Sequence, residues 1–78
     1  MLAVVIVEYD PLWPEEFRVE AERITGACED LEVRLEHVGS TAVPGLSAKP
    51  VIDIAAGVPP RVDRRPYIQA LKELGYEH

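Results

Sequence analysis

The chain has 78 residues, of which 47% are hydrophobic and 28% charged, and its formal net charge is −6. This composition is that of a soluble globular protein, and the length allows one small domain with a thin core. The acidic balance argues against a nucleic-acid partner, since contacts with phosphates need clustered Lys and Arg. The single cysteine, Cys28, forms no internal disulfide, which favours a cytoplasmic location and a buried thiol.

The first seven residues form an apolar run that predicts a β-strand. This run is far shorter than the roughly 20 residues that span a membrane, and neither a basic flank nor a cleavage site accompanies it. We therefore expect no transmembrane segment, no signal peptide and no membrane partner.

An amphipathic helix is predicted from about Pro14 onwards. Pro14 suits a first helical turn, and Glu15 and Glu16 complement the positive end of the helix dipole. Gly26 is expected to mark the end of the helix. Apolar side chains recur at helical spacing among charged ones: Trp13, Phe17, Ala21, Ile24 and Cys28.

Two strands are predicted to follow. Residues 31–38 alternate with the two-residue period of a half-exposed strand, which places Val33, Leu35 and His37 on one face. After a loop or single helical turn, residues 51–56 are apolar on both faces apart from one carboxylate. That pattern predicts a strand in the middle of the sheet.

A second helix is predicted within residues 63–75, with Tyr67, Leu71 and Leu74 on one face and Gly75 as its C-cap. The order of elements predicts an α+β fold, an α/β sandwich in which helices cover a small mixed β-sheet, with residues 1–78 as a single domain. Three strands leave two edges open. We therefore expect either a truncated part of a larger domain or a homodimer that covers the sheet.

Asp53 gives the strongest functional signal. An isolated carboxylate on a buried strand is costly unless a lysine, a set of backbone amides or a metal ion pairs with it. The preceding turn at Gly39 and Ser40 supplies small residues where an anionic ligand could approach the backbone. Lys49 could neutralise a phosphate. The structural alternative is that Asp53 pairs with Lys49 or caps the loop.

The sequence resembles the GrpB family along nearly its whole length, in four stretches. They are Tyr9-Asp10-Pro11 with Trp13 and Phe17, Glu36 to Leu46, Ala48 to Ile54, and Leu74-Gly75-Tyr76. The resemblance implies a nucleotidyltransferase-like fold, whose active members carry a Gly-Ser turn after one strand and two acids, one residue apart, on the next. Gly39 and Ser40 match the turn, and Asp53 matches the first acid.

The resemblance further implies a pocket for a nucleotide or another phosphorylated small molecule. Asp53 would be the catalytic residue and the ligand of Mg²⁺. Gly39, Ser40, Thr41 and Lys49 would bind the phosphates. Relatives fused to dephospho-CoA kinase associate the family with coenzyme A or nucleotide metabolism.

Position 55 departs from the pattern of active enzymes, because Ala55 stands where the second acid is expected. The third acid of the superfamily has no counterpart in the chain. We therefore expect little or no nucleotidyl transfer by a two-metal route. The alternative to a nucleotidyltransferase-related activity is a non-catalytic binding or regulatory domain.

Three other kinds of site fit the sequence less well. His37, Ser40 and Asp53 are the residue types of a hydrolase triad, but no Gly-x-Ser-x-Gly elbow is present. Gly45 is not followed by the Gly-Lys-Ser/Thr of a Walker-type phosphate loop. One cysteine and two histidines are too few for a closed zinc site.

Overall fold

The computed structural model describes residues 5–76, which confirm the predicted α+β fold. In chain order the elements are α1 (Trp13–Cys28), β1 (Arg34–Val38), a 3-10 turn (Ser40–Ala42), β2 (Asp53–Gly57) and α2 (Arg65–Glu73). The two strands pair antiparallel, with Arg34 opposite Gly57 at one end and Val38 opposite Asp53 at the other.

Helix α1 begins one residue before Pro14 and continues two residues beyond Gly26. The Asp10 side chain accepts the amide of Leu12 at 2.9 Å, which turns the chain into the helix. The predicted end at Gly26 is therefore early. The helix continues because Cys28, in its last turn, is buried in the core and 2% exposed, which also confirms the prediction of a buried thiol.

Strand β1 confirms the predicted alternation. Leu35 and His37 are half-buried, whereas Arg34, Glu36 and Val38 are exposed. Side chains two apart on a strand share a face. The sheet therefore has a helix-covered face and a solvent-exposed face, which we call the open face.

The prediction that the second strand lies in the middle of the sheet with both faces buried is wrong for the described residues. Among residues 5–76, β2 pairs with β1 alone, and of the residues of β2 only Ile54 is half-buried. Both helices pack on the same side of the sheet, so the opposite side, with Asp53 and Ala55, meets solvent. The Asp53 carboxylate therefore keeps contact with water and does not need the partner that full burial would have required.

The core lies between the two helices and the covered face of the sheet. It is centred on Ile24 and Cys28 from α1 and on Tyr67 and Ala70 from α2. The Tyr67 hydroxyl donates a hydrogen bond of 2.6 Å to the main-chain carbonyl of Glu32. This bond ties α2 to the segment that leads into β1.

Helix α2 lies within the predicted range. Tyr67 is buried, and Leu71 and Leu74 pack against the core, which confirms the predicted apolar face. After the helix, Gly75 adopts a φ of 101°, the left-handed region that favours glycine at this position.

The predicted first strand lies only partly within the described residues, because residues 1–4 are outside them. Val7 forms one antiparallel bridge with Ala48, with two backbone hydrogen bonds of 2.9 Å. Residues 5–7 thus contribute a single bridge and not a full strand. No helix within residues 5–76 combines the length and the apolar character needed to cross a membrane.

Candidate functional site

The turn that follows β1 brings the backbone of Gly39 against the carboxylate of Asp53. Gly39 has φ 77° and ψ −168°, a conformation that is essentially confined to glycine. A Cβ atom at this position would lie 2.6 Å from Asp53 Oδ2. Both the backbone conformation and the close contact therefore require glycine.

After Gly39 the chain closes a single 3-10 turn. The Ala42 amide donates to the Gly39 carbonyl at 3.1 Å, and the Val43 amide donates to the Ser40 carbonyl at 3.2 Å. The first amides of such a turn have no partner within it. Ser40 is exposed, so its hydroxyl is accessible to a ligand at the same edge of the sheet.

Thr41 occupies a different environment from Ser40. It is 1% exposed, and its hydroxyl lies 2.9 Å from His37 Nε2 and donates a 2.9 Å hydrogen bond to the Val51 carbonyl. The side chain is thus committed to contacts inside the protein. Of the groups on Thr41, the backbone amide is the one left for a ligand.

Lys49 is exposed and follows Ala48, the residue that bridges to Val7. Among the ion pairs formed by residues 5–76, none joins Lys49 to Asp53. Within the same residues, no side chain caps the 3-10 turn. Neither structural alternative for Asp53 thus has a contact that supports it within the described residues.

The strand register adds a second carboxylate, Glu36, that the sequence analysis missed. Glu36 lies opposite Ala55 on β2 and shares the open face with Asp53. The two acids are diagonal neighbours, a relation for which Cβ atoms roughly 7–8 Å apart are typical. The family motif specifies acids on β2 only and therefore gives no indication of Glu36. That residue comes close to Asp53 through the pairing of β1 with β2.

These carboxylates can be tested against the needs of a metal ion. Within residues 5–76, no three His, Cys, Asp or Glu side chains converge on one point. Mg²⁺ is commonly held by one or two carboxylates together with phosphate oxygens and water. Asp53 and its neighbour Glu36 fit a Mg²⁺ ion that arrives with a phosphate, and they do not fit a closed structural metal site.

His37 lies on the other side of the sheet from Asp53. It pairs with Ile54 and faces the helices, where its ring stacks on that of Phe17 with centroids 5.1 Å apart and an interplanar angle of 12°. Asp53 lies on the open face. This arrangement excludes a hydrolase triad of Ser40, His37 and Asp53.

A concave region with a volume of about 260 Å³ lies between the helices and the covered face. Its lining is mainly apolar, and its polar residues are Glu20, Lys72 and Tyr76. The Tyr76 hydroxyl donates a hydrogen bond to the Glu20 carboxylate. The pKa of Tyr76 is raised to about 12, first by loss of hydration and secondly by this contact. The same contact lowers the pKa of Glu20. This region is separated from the Asp53 carboxylate by the sheet.

Comparison with known proteins identifies relatives of the chain. It is similar to the UPF0157 protein BH1888 of Halalkalibacterium halodurans, with 45% identity over 74 residues, which are 95% of this chain and 38% of that protein. It is 46% identical to the UPF0157 protein PA4798 of Pseudomonas aeruginosa over 74 residues, 95% of this chain and 31% of that protein. A dephospho-CoA kinase of Mycobacterium tuberculosis is 43% identical over 56 residues, 68% of this chain and 14% of the kinase.

The chain thus spans 38% and 31% of the length of the two UPF0157 proteins. The search of solved structures gave no match. A family model described as GrpB protein matches residues 3–78, almost the full sequence. The resemblance inferred from the motifs is therefore confirmed, and the chain belongs to the GrpB family.

Proposed function

We propose that this GrpB domain binds the phosphate group of a nucleotide or another phosphorylated small molecule, together with Mg²⁺, at the Gly39 turn and Asp53. The observation that carries the proposal is the 2.6 Å separation between Asp53 Oδ2 and the position of a Cβ on Gly39. The exposed carboxylate of Asp53 thereby lies directly against the backbone of Gly39, with no side chain between them. Without a side chain at Gly39, a Mg²⁺ ion held by Asp53 would lie next to the backbone amides of the turn, which would bind the phosphate.

Each residue of this site would contribute to binding according to its chemistry. Backbone amides of the turn and the Ser40 hydroxyl would donate hydrogen bonds to phosphate oxygens. The exposed ammonium of Lys49 would balance part of the negative charge. Asp53, with Glu36 beside it, would hold Mg²⁺, which when bound neutralises phosphate charge.

Ala55 favours binding over nucleotidyl transfer. It lies on the open face two residues after Asp53, where a two-metal site would need its second carboxylate on β2. The two candidate functions for this site are therefore a nucleotidyltransferase-related activity and a non-catalytic binding or regulatory role, and Ala55 favours the second. Restoring the acid with Ala55→Asp separates the two candidates, since only a transferase scaffold would gain activity from it.

Two further observations support the proposed class of ligand and the proposed cellular location. The similarity to a protein named dephospho-CoA kinase associates this sequence with the chemistry of phosphorylated small molecules. The buried free thiol of Cys28 supports a reducing, cytoplasmic location.

The test is calorimetric titration of the protein with Mg²⁺ together with each nucleoside triphosphate, and with Mg²⁺ and inorganic phosphate. We expect Asp53→Asn to abolish the Mg²⁺-dependent binding and to leave the melting temperature unchanged or higher, since functional carboxylates often reduce stability. Asp30→Asn is the matched control. Asp30 is also exposed, but it lies in the turn after α1, ahead of β1. This control should bind like the wild type.

A different result would overturn the proposal. If Asp53→Asn lost about 1–3 kcal/mol of stability while binding was unchanged, Asp53 would be a structural residue. Transfer of radiolabelled nucleotide at an enzyme-like rate by the pure wild-type chain would instead contradict the inference drawn from Ala55.

A further inference from the structure

A chain of two hydrogen bonds runs beneath the candidate site. His37 Nε2 lies 2.9 Å from the Thr41 hydroxyl, which lies 2.9 Å from the carbonyl oxygen of Val51. The middle member, Thr41, is 1% exposed. His37 is half-buried and Val51 is exposed, so it is the Thr41 hydroxyl between them that lies out of reach of solvent and for which an unmade hydrogen bond is costly.

The direction of both hydrogen bonds follows from the chemistry of the groups. A carbonyl oxygen only accepts, so the single hydroxyl proton of Thr41 goes to Val51. The Thr41 oxygen must then accept from His37, and Nε2 of that ring must carry a hydrogen. The structure thus assigns the Nε2–H form of His37.

The position of Thr41 explains what these bonds hold together. Regular pairing of the strands ends at Val38 and Asp53, because the chain turns away at Gly39. The Val51 carbonyl, two residues before Asp53, receives the Thr41 hydroxyl in place of a backbone amide. The two segments that flank the strand end are therefore tied to each other by a side chain.

Helix α1 fixes the other end of the hydrogen-bonded chain. The imidazole of His37 stacks on Phe17, with ring centroids 5.1 Å apart and an interplanar angle of 12°. This contact holds the plane of the imidazole, and with it the direction of the Nε2–H bond. The position of the Gly39 turn relative to β2 thus depends on Phe17 of helix α1.

We infer that His37 and Thr41 are positioning residues whose side chains hold the Gly39 turn against Asp53 and set the geometry of the phosphate site without touching the ligand. The inference rests on the proposed function. It gives the Thr41 side chain an indirect role in ligand binding. It also adds to the site His37, which lies on the helix-covered face of the sheet.

The test compares Thr41→Val, which keeps the shape of the side chain and loses the hydroxyl, with Thr41→Ser, which keeps the hydroxyl. We expect Thr41→Val to bind Mg²⁺ with ATP at least about tenfold more weakly than the wild type, the factor that corresponds to one lost hydrogen bond. Thr41→Ser should restore binding to within about twofold of the wild type. A long-range ¹H–¹⁵N NMR spectrum of the wild type should show His37 with a hydrogen on Nε2.

Each outcome of this experiment decides a separate point. Wild-type affinity in folded Thr41→Val, or a His37 ring protonated on Nδ1 alone, would overturn the positioning role. If Thr41→Val does not fold, His37→Phe replaces it, because phenylalanine stacks on Phe17 but cannot donate a hydrogen bond. If the wild type binds neither any nucleoside triphosphate nor inorganic phosphate in the presence of Mg²⁺, the proposed function fails. The amide shifts of Gly39 and Asp53 in Thr41→Val against Thr41→Ser then decide whether the turn is held by these bonds.

Discussion

The two faces of the sheet are built on different physical principles. On the covered face, Leu35 and Ile54 make apolar contacts with the helices. On the open face, Glu36 and Asp53 are exposed side by side next to a glycine with a positive φ. The covered face stabilises the fold, whereas the open face carries the charge and the accessible backbone that a ligand needs.

This difference shows how a small domain can separate stability from function. Burial of apolar side chains on one side leaves the other side free to hold carboxylates, which keep their hydration until a ligand arrives. The link between the two sides is the hydrogen-bonded chain from His37 through Thr41. If the separation is correct, substitutions on the two faces should affect different properties, and the following experiments test this.

The largest effect on stability is expected on the covered face. Ile24 is 4% exposed, so Ile24→Ala should lower the free energy of unfolding by about 2–5 kcal/mol through lost burial and a new cavity. Urea denaturation measures this loss. Val19→Ala, at an exposed position of the same helix, is the control and should change the stability by no more than about 0.5 kcal/mol.

Ligand binding gives the second half of this test. The fraction of Ile24→Ala that remains folded should bind Mg²⁺ with ATP like the wild type, since Ile24 lies in the core on the helix side of the sheet. Binding as weak as that of Asp53→Asn would show that the two faces are not separate.

An intermediate effect is expected at the turn. Gly39→Ala should cost about 1–3 kcal/mol, because alanine does not tolerate the backbone conformation of Gly39 and its Cβ would meet Asp53. Gly26→Ala is the matched control. No atom of the part of the chain that the structure describes lies within 4 Å of a Cβ at Gly26 in helix α1, so alanine there should raise stability by about 0.5–1 kcal/mol. Thermal melting of both variants measures the difference.

The double variant Gly39→Ala/Asp53→Ala separates the two causes of the expected loss of stability, the backbone conformation and the close contact with Asp53. Removal of the carboxylate relieves the close contact and leaves the backbone strain. The cost of Gly39→Ala should therefore be smaller in the Asp53→Ala background than in the wild-type background. An equal cost in both backgrounds would show that the carboxylate does not press against the turn.

The smallest effect is expected at the contact between Tyr76 and Glu20, and it depends on pH. The pKa of Tyr76 is raised from 10 to about 12, so folding favours the neutral phenol. This contribution is complete below pH 10 and is lost as the pH rises from 10 towards 12. Melting temperatures should therefore fall less steeply over this range in Tyr76→Phe than in the wild type.

Glu20→Gln provides the control for that result, because it removes the carboxylate that accepts the hydrogen bond from Tyr76. Ultraviolet titration should then show the phenol of Tyr76 ionising at a lower pH than in the wild type. Identical alkaline melting curves for the wild type and Tyr76→Phe would contradict the raised pKa of Tyr76 on which this prediction rests.

Much of the fold follows from local patterns in the sequence. The helical spacing of Trp13, Ile24 and Cys28 predicts α1, and the alternation around Leu35 predicts β1, because each pattern reports which side of one element meets the core. The motif at Gly39 and Ser40 likewise predicts the turn. These features depend on residues within a few positions of one another.

Tertiary structure decided the surroundings of the candidate site. The apolar run around Asp53 predicts burial, but whether a strand is covered on one face or two depends on where distant helices pack. Glu36 comes beside Asp53 only through the register of the two strands, and the Thr41 hydroxyl reaches Val51 only because the chain turns at Gly39. Such contacts join residues far apart in sequence, and no local periodicity encodes them.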